Sequence, residues 1–293
     1  MKKSIYYISI FFTALILCAG FISCKKTIII DLPQDVNKPV LNSLIKHGKP
    51  IEVSLSLSKW LAPNESFPQI TDAKVQLYEN GIFKEILDTM TIRGKTRYLS
   101  KSIAQKNNRY KIVADVKGFK PLEAEDDIPD IDKITVLNQS QKKVSSTVES
   151  KFRFDFSVRN GGNTTIYYRI RILNHFDIFS GLKLDQPSPL IVSNNKNSQL
   201  VDNVETFAYW LESNPQKPGS ITNYSFSTST LPKGQNILEV AVLSESAFKY
   251  LNSSQKAGDF EGDFTSERII IFNNIKNGLG IVGGYASSEY PFN

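Results

Sequence analysis

The residues able to do chemistry are few, and most are carboxylates. Asp126, Asp127, Asp130 and Asp132 form the densest acidic cluster. Asp259, Glu261 and Asp263 stand two apart in Gly258-Asp259-Phe260-Glu261-Gly262-Asp263. Grouped carboxylates supply the hard oxygens that Ca²⁺ takes, but neither run has the spacing of a calcium loop, with its Gly and its closing Glu. The first cluster therefore reads as a solvated linker. No metal is expected at the second, and Asp259, Glu261 and Asp263 stand only as the alternative. Two carboxylates could also flank a glycosidic bond, a matter of separation in space. His47 and His175 are the only histidines, and neither lies in a motif with a Ser or Cys nucleophile. Tyr209 and Trp210, with Phe207 nearby, could form an aromatic platform for a sugar or peptide, against the plainer reading of a buried face. The run Gly278-Leu279-Gly280-Ile281-Val282-Gly283-Gly284 has no following helix to receive a phosphate. It reads as strand backbone that needs close approach. No catalytic residue and no cofactor is expected.

One further reactive atom is a cysteine sulfur. Lys2 and Lys3 precede an apolar stretch from Ile8 to Ile22, and Ser23-Cys24 closes it. These are the three parts of an export signal, and the stretch is slightly short of the ~20 residues of a membrane span. Phe21-Ile22-Ser23-Cys24 resembles a bacterial lipobox, cut before the cysteine, whose sulfur is then acylated; Cys18 fits worse because bulky Leu17 precedes it. The rival readings are an uncleaved anchor helix and a plain secreted protein. Several acyl chains, at ~0.8 kcal/mol per buried CH₂, would hold the protein to a bilayer. Cleavage removes 23 of 293 residues, with Cys18 and two lysines, and lowers the net charge from +6 to +4. Cys24 is then consumed by lipid, which leaves no disulfide, thiol nucleophile or cysteine metal site. With only two His and two Cys in the chain, zinc chemistry is also disfavoured. The basic residues are scattered, so no nucleic-acid partner is expected. Lys25-Lys26 belongs beside lipid headgroups. No acidic run follows Cys24, and the face of the membrane stays open.

The elements that must position these groups are strands. A content of 41% hydrophobic residues excludes disorder. Ile51, Val53, Leu55 and Leu57 alternate with polar residues, as do Tyr110, Ile112, Ala114 and Val116, a period-two pattern of half-buried strands. Asn80-Gly81 predicts a tight hairpin. Phe152, Phe154, Phe156 and Val158 alternate, Gly161-Gly162-Asn163 predicts a second hairpin, and Ile166, Tyr168, Ile170 and Ile172 return. Further strands are expected at 134–137, 224–228, 237–243, 269–272 and 280–282. The stretch 244–256 breaks the pattern and reads as a helix with Ser244 as N-cap. The fold class is all-β: a signal over 1–23, a tether over 24–38, an immunoglobulin- or transthyretin-like sandwich over 39–130, and a larger β-rich domain with one short helix over 131–293.

Several segments carry a family resemblance. They include Pro39-Val40-Leu41-Asn42-Ser43-Leu44-Ile45, the stretch Ile70-Thr71-Asp72-Ala73-Lys74-Val75-Gln76-Leu77-Tyr78-Glu79-Asn80-Gly81, and the closing Ile275-Lys276-Asn277-Gly278-Leu279-Gly280. In this order, behind Cys24, the chain resembles the domain-of-unknown-function 4249 lipoproteins of Gram-negative bacteria. The resemblance implies an outer-membrane, lipid-anchored protein, encoded beside TonB-dependent transporters. It implies a non-enzymatic accessory or nutrient-capturing role, and it transfers no catalytic residue. The alternatives are a structural or adhesive surface module and a carboxylate-based hydrolase.

Overall fold

The computed structural model describes residues 37–59, 67–92, 94–145, 150–179, 182–187, 190–192, 206–207, 209–214, 218–228, 234–259 and 269–292. They belong to one compact unit, 37–293. Its frame is a nine-stranded sheet. The first half contains β1 (Pro39–Lys46), β2 (Pro50–Leu57), β5 (Asp88–Ile92) and β6 (Lys95–Ile103). The second half contains β11 (Ile166–Phe179), β12 (Leu182–Pro187), β15 (Trp210–Asn214) and β17 (Gln235–Leu243). The last strand, β18 (Leu279–Pro291), joins the halves: it runs parallel to β1, Val40 opposite Leu279, and antiparallel to β17, Leu243 opposite Tyr285.

Two smaller sheets lie side by side on one face of this frame. The first holds β3 (Lys74–Glu79), β4 (Ile82–Ile86), β7 (Arg109–Asp115) and β8 (Leu122–Asp127). The second holds β9 (Ile134–Ser145), β10 (Ser150–Asn160), β13 (Leu190–Val192), β14 (Thr206–Phe207) and β16 (Ile221–Thr228). Alternation decides what is buried, since a strand sends every second side chain to the same face. Leu41, Ile51, Val53 and Tyr98 of the frame meet Val75, Leu77, Ile112 and Leu122 of the four-stranded sheet in the first core. Tyr168, Ile170, Leu238 and Val240 meet Phe154, Phe156, Tyr224 and Phe226 of the five-stranded sheet in the second. Val282 and Ala286 of β18 serve the first core, and Phe292, just beyond its end, serves the second.

The opposite face of the frame carries the helix α1 (Glu245–Asp259). Ser244 caps it, its Oγ accepting from the Ala247 N–H at 3.1 Å, as its sequence position predicts. Ala247 sits against Gly283, where a Cβ would come within 2.9 Å of the Ala247 Cβ. The glycine run is thus close-packed strand. Gly280 has φ +115°, and a side chain there would meet the Leu41 carbonyl oxygen at 2.1 Å.

The all-β expectation with one short helix holds, and so does the hairpin at Asn80-Gly81, whose residues have φ 51° and 81°. Three local expectations do not. Gly161-Gly162-Asn163 is no hairpin: β10 and β11 lie in different sheets. The Asn160 N–H is taken by Ser220 O at 2.9 Å and the Gly161 N–H by Lys133 O at 2.7 Å, so the chain crosses between sheets instead of folding back. Residues 269–272 form no strand, because the Phe272 N–H goes to Ser253 Oγ on the helix at 2.9 Å, and Ile270 is exposed. The acidic stretch is no solvated linker either. Its first part is β8, paired with β7 from Leu122 to Asp127, because Leu122 and Ala124 are apolar enough to fill the core.

Candidate functional site

The helix covers the β11–β17–β18 part of its face, with Phe248 against Tyr167 of β11. Beside it, on β1, β2 and β6, the frame is open, and a groove with a cavity volume of about 400 Å³ runs there. Asn42, Leu44, Glu52, Ser54, Arg97, Ile281 and, from the helix, Tyr250 line it. Strand parity places them. Leu41 and Ile45 point into the core, so Asn42 and Leu44 point out; Val53 and Tyr98 point in, so Glu52 and Arg97 point out.

The polar groups of the groove are held by defined bonds. Arg97 Nε donates to Glu52 Oε1 at 2.6 Å and its Nη1 to Thr96 O at 3.1 Å. Ser54 Oγ donates to Asn42 O at 3.4 Å. Asn42 Oδ1 is buried and has no hydrogen-bond partner among the described residues. It lies where a Cβ on Gly280 would be 2.9 Å away, so the glycine makes room for the amide. Burial pushes the Tyr250 phenol above its ordinary pKa, with a hydrogen bond to Ser254 opposing, and it stays protonated at neutral pH. An unpaired amide oxygen accepts a ligand donor, a guanidinium offers donors to an acceptor, and a phenol ring offers a stacking face. Such groups can hold a polar ligand. Glu52 is the one carboxylate among its lining residues, and it is already paired to Arg97.

The sequence-predicted residues are placed elsewhere. Phe207 lies on β14 opposite Leu190, and Trp210 begins β15 opposite Ile170, so the two stand on strands of different sheets. Tyr209, between them, is half-buried and has a partner. Asp259 is the last helical residue, while Glu261, Asp263 and Cys24 lie outside the described residues. Among the described residues no group of three or more His, Cys, Asp or Glu side chains could hold a metal ion. His47 Nδ1 accepts from the Lys106 N–H at 3.1 Å, and His175 lies in β11 opposite Asp185 and Gln235.

The acidic cluster is tied down residue by residue. Lys106 Nζ reaches Asp130 at 3.0 Å and Asp132 at 2.6 Å, and Arg109 reaches Asp127 with two bonds of 2.8 Å. Asp126 is different. Burial pushes its carboxyl above the usual range, outweighing the Ser244 hydroxyl and the Gly284 N–H that both donate to it. It joins β8, β18 and the helix cap.

A second buried charge lies on the helix-bearing face of the frame and was not foreseen. Glu239 of β17 is fully buried, with Arg169 Nη2 at 3.3 Å, Arg171 bonded to its Oε2, and Lys46 Nζ 3.9 Å from its Oε1. Burial alone would raise its carboxyl. The Arg171 bond and the charges of Arg169, Arg171 and Lys46 outweigh burial and hold it below the usual range. The Arg169 guanidinium also lies 5.0 Å from the centre of the Tyr285 ring. The signal was an Arg-x-Arg on one strand and a lone Glu in the run Ile237-Leu238-Glu239-Val240, whose pairing only the fold reveals.

A family model described as a domain of unknown function, DUF4249, matches residues 25–290. No curated protein matches the chain. Among solved structures, a chain described as a candidate membrane-anchored protein from Corynebacterium diphtheriae is 11% identical, with a TM-score of 0.21. The match covers 71% of this chain and 55% of that one. This chain thus spans about half the length of that protein, and a likeness at that level carries no argument.

Proposed function

The chain belongs to the DUF4249 family, and we propose that it is an outer-membrane lipoprotein, anchored through acylated Cys24, that captures a polar ligand for a TonB-dependent transporter. The observation that carries the capture reading is the groove. It sets an unpartnered buried amide oxygen, Asn42 Oδ1, beside the Glu52–Arg97 pair and the Tyr250 ring. A buried acceptor without a donor costs about 1–3 kcal/mol, which a ligand N–H or O–H would recover. The anchor keeps such a site at the membrane where a transporter works.

The proposal is tested on protein solubilised from membranes, with and without Asn42→Leu and Arg97→Ala. A transporter should co-purify with the wild type, and nutrient uptake should fall in the deletion strain and in both variants. Protein that repeatedly runs alone, with uptake unchanged on deletion, sinks the idea. Hydrolysis by paired carboxylates is less well supported, because Glu52 has no second carboxylate across the groove. An adhesive or spacer role makes no use of the unpartnered amide.

A further inference from the structure

We propose that one end of the first sandwich is a docking face for a phospholipid bilayer with anionic headgroups. The inference rests on the lipid-anchor reading and adds an orientation to it. Strand direction assembles the face. The chain comes into the fold at Asn37-Lys38, where Lys38 N donates to Ser58 Oγ at 2.8 Å and Lys38 O accepts from the Ser58 N–H at 2.8 Å. The registers bring the starts of β1, β3, β6, β8 and β18 and the ends of β2, β5 and β7 to this same end.

That end is basic and partly apolar. Lys38, Lys74, Lys95, Lys117 and Lys120 are exposed there, and none makes an ion pair among the described residues. Among the described residues, Asp72 and Asp115 are the exposed acids beside them. Lys276 is held by Glu123 at 2.6 Å. Between the lysines stand Phe67 at 61% exposure, Ile92 at 40%, Leu279 at 37% and Phe119 at 36%. At the other end of the same sandwich most basic groups are neutralised, Lys106 by Asp130 and Asp132, Arg109 by Asp127, and Lys84 by Glu79, with Lys49 the exposed exception. The asymmetry belongs to one end and is not the chain's general basicity.

Exposed lysines interleaved with aromatic and aliphatic side chains are what an anionic lipid interface attracts. The charges meet phosphate, and the rings and lysine stems sit among the headgroups. The anchor alone does not impose the contact. Residues 24 to 36, at about 3.4 Å each, reach as far as ~45 Å, several Debye lengths at physiological salt. The face is what would turn the sandwich onto the membrane and hold the second core away from it.

The test uses the full lipidated protein, reconstituted in vesicles of phosphatidylcholine alone or with about one-third phosphatidylglycerol, and lysine acetylation read by mass spectrometry. Lys38, Lys74, Lys95, Lys117 and Lys120 should label about five-fold more slowly in the anionic vesicles, the factor expected of one lysine at such a surface. High salt should abolish the difference. Lys142 and Lys143, exposed on β9 of the second core, should label equally in both. Lys117→Glu with Lys120→Glu, in an exposed turn, should release protection at Lys38, Lys74 and Lys95. Flotation with neutral vesicles reads the anchor separately. Protein that floats with both vesicles and labels identically in them overturns the docking face and leaves the anchor standing. Protein that fails to float with neutral vesicles, yet is protected by anionic ones, removes the anchor and keeps the face. Protection found in native membranes but in neither vesicle would assign the face to a protein partner and overturn the proposal.

Discussion

The two cores share one sheet and solve burial differently. The first is mostly aliphatic, Leu41, Ile51, Val75, Leu77 and Ile112, and its exposed end and edge are laced by ion pairs such as Arg109–Asp127 and Lys111–Glu123. The second is aromatic. Phe156 stacks on Tyr224 with ring centres 5.4 Å apart, Phe154 meets Phe292 at 4.9 Å, and the hydroxyls of Tyr168 and Tyr224 bond each other in the interior. Burial and the neighbouring Tyr168 push the Tyr224 phenol far above its ordinary range, so the pair stays neutral. A long frame strand, β18, serves both cores, which teaches that residues from the end of the chain complete the first core as well as the second.

The largest effect should come from breaking that shared strand. A Cβ at Gly284 would lie 2.2 Å from the Asp127 carbonyl oxygen, so Gly284→Val should cost more than about 4 kcal/mol. Both cores should lose hydrogen-exchange protection together, and a variant that loses only one would show the cores to be independent. Next, Phe154→Ala should cost about 3–5 kcal/mol in chemical denaturation. If β18 couples the cores, the transition stays single. Removing the buried charge of β17, Glu239→Ala, strands Arg169 and Arg171 and should cost about 3 kcal/mol. Ser244→Ala, which removes the cap and the Asp126 contact, should cost about 1 kcal/mol by the same measurement.

The smallest effect is also the most discriminating, because two carboxylates of one strand titrate in opposite senses. Glu123, bonded to Lys276 and Lys111, is held down at about 2 from an ordinary 4.5. Its stabilisation is present above pH 4.5 and lost as the pH falls toward about 2. As an exposed pair it is worth less than about 1 kcal/mol. Asp126 is raised by burial, so its contribution is present below pH 3.8 and lost as the pH rises through its folded value. Glu123→Gln should therefore flatten the acid limb of a stability–pH curve. Asp126→Asn should gain on the wild type as the pH rises, and parallel curves for the two variants would refute the assignment.

Much of the strand pattern was legible in the residues alone. The alternations at 51–57, 110–116 and 166–172 name their buried faces correctly, since a period of two leaves no other choice of face. Asn80-Gly81 and the Ser244 cap were legible because each is a local device with few conformations. The groove was not. Glu52 and Ser54 could be read as polar-face residues, but Arg97 lies about forty residues on and Tyr250 comes from a helix about two hundred residues away. No local pattern brings them together.

By itself the sequence determined an all-β chain with one helix, the family, and the inward face of each clear strand, because short-range sterics and apolar burial act within a few residues. Only the tertiary structure decided which strands pair. It sent the chain across rather than back at Gly161, made an edge strand of the acidic stretch, and put Glu239 between two arginines. It also set on one end of a sandwich five lysines that make no ion pair among the described residues. Pairing is settled by backbone bonds and packing between residues distant in the chain, and those terms have no signature in a local stretch of residues.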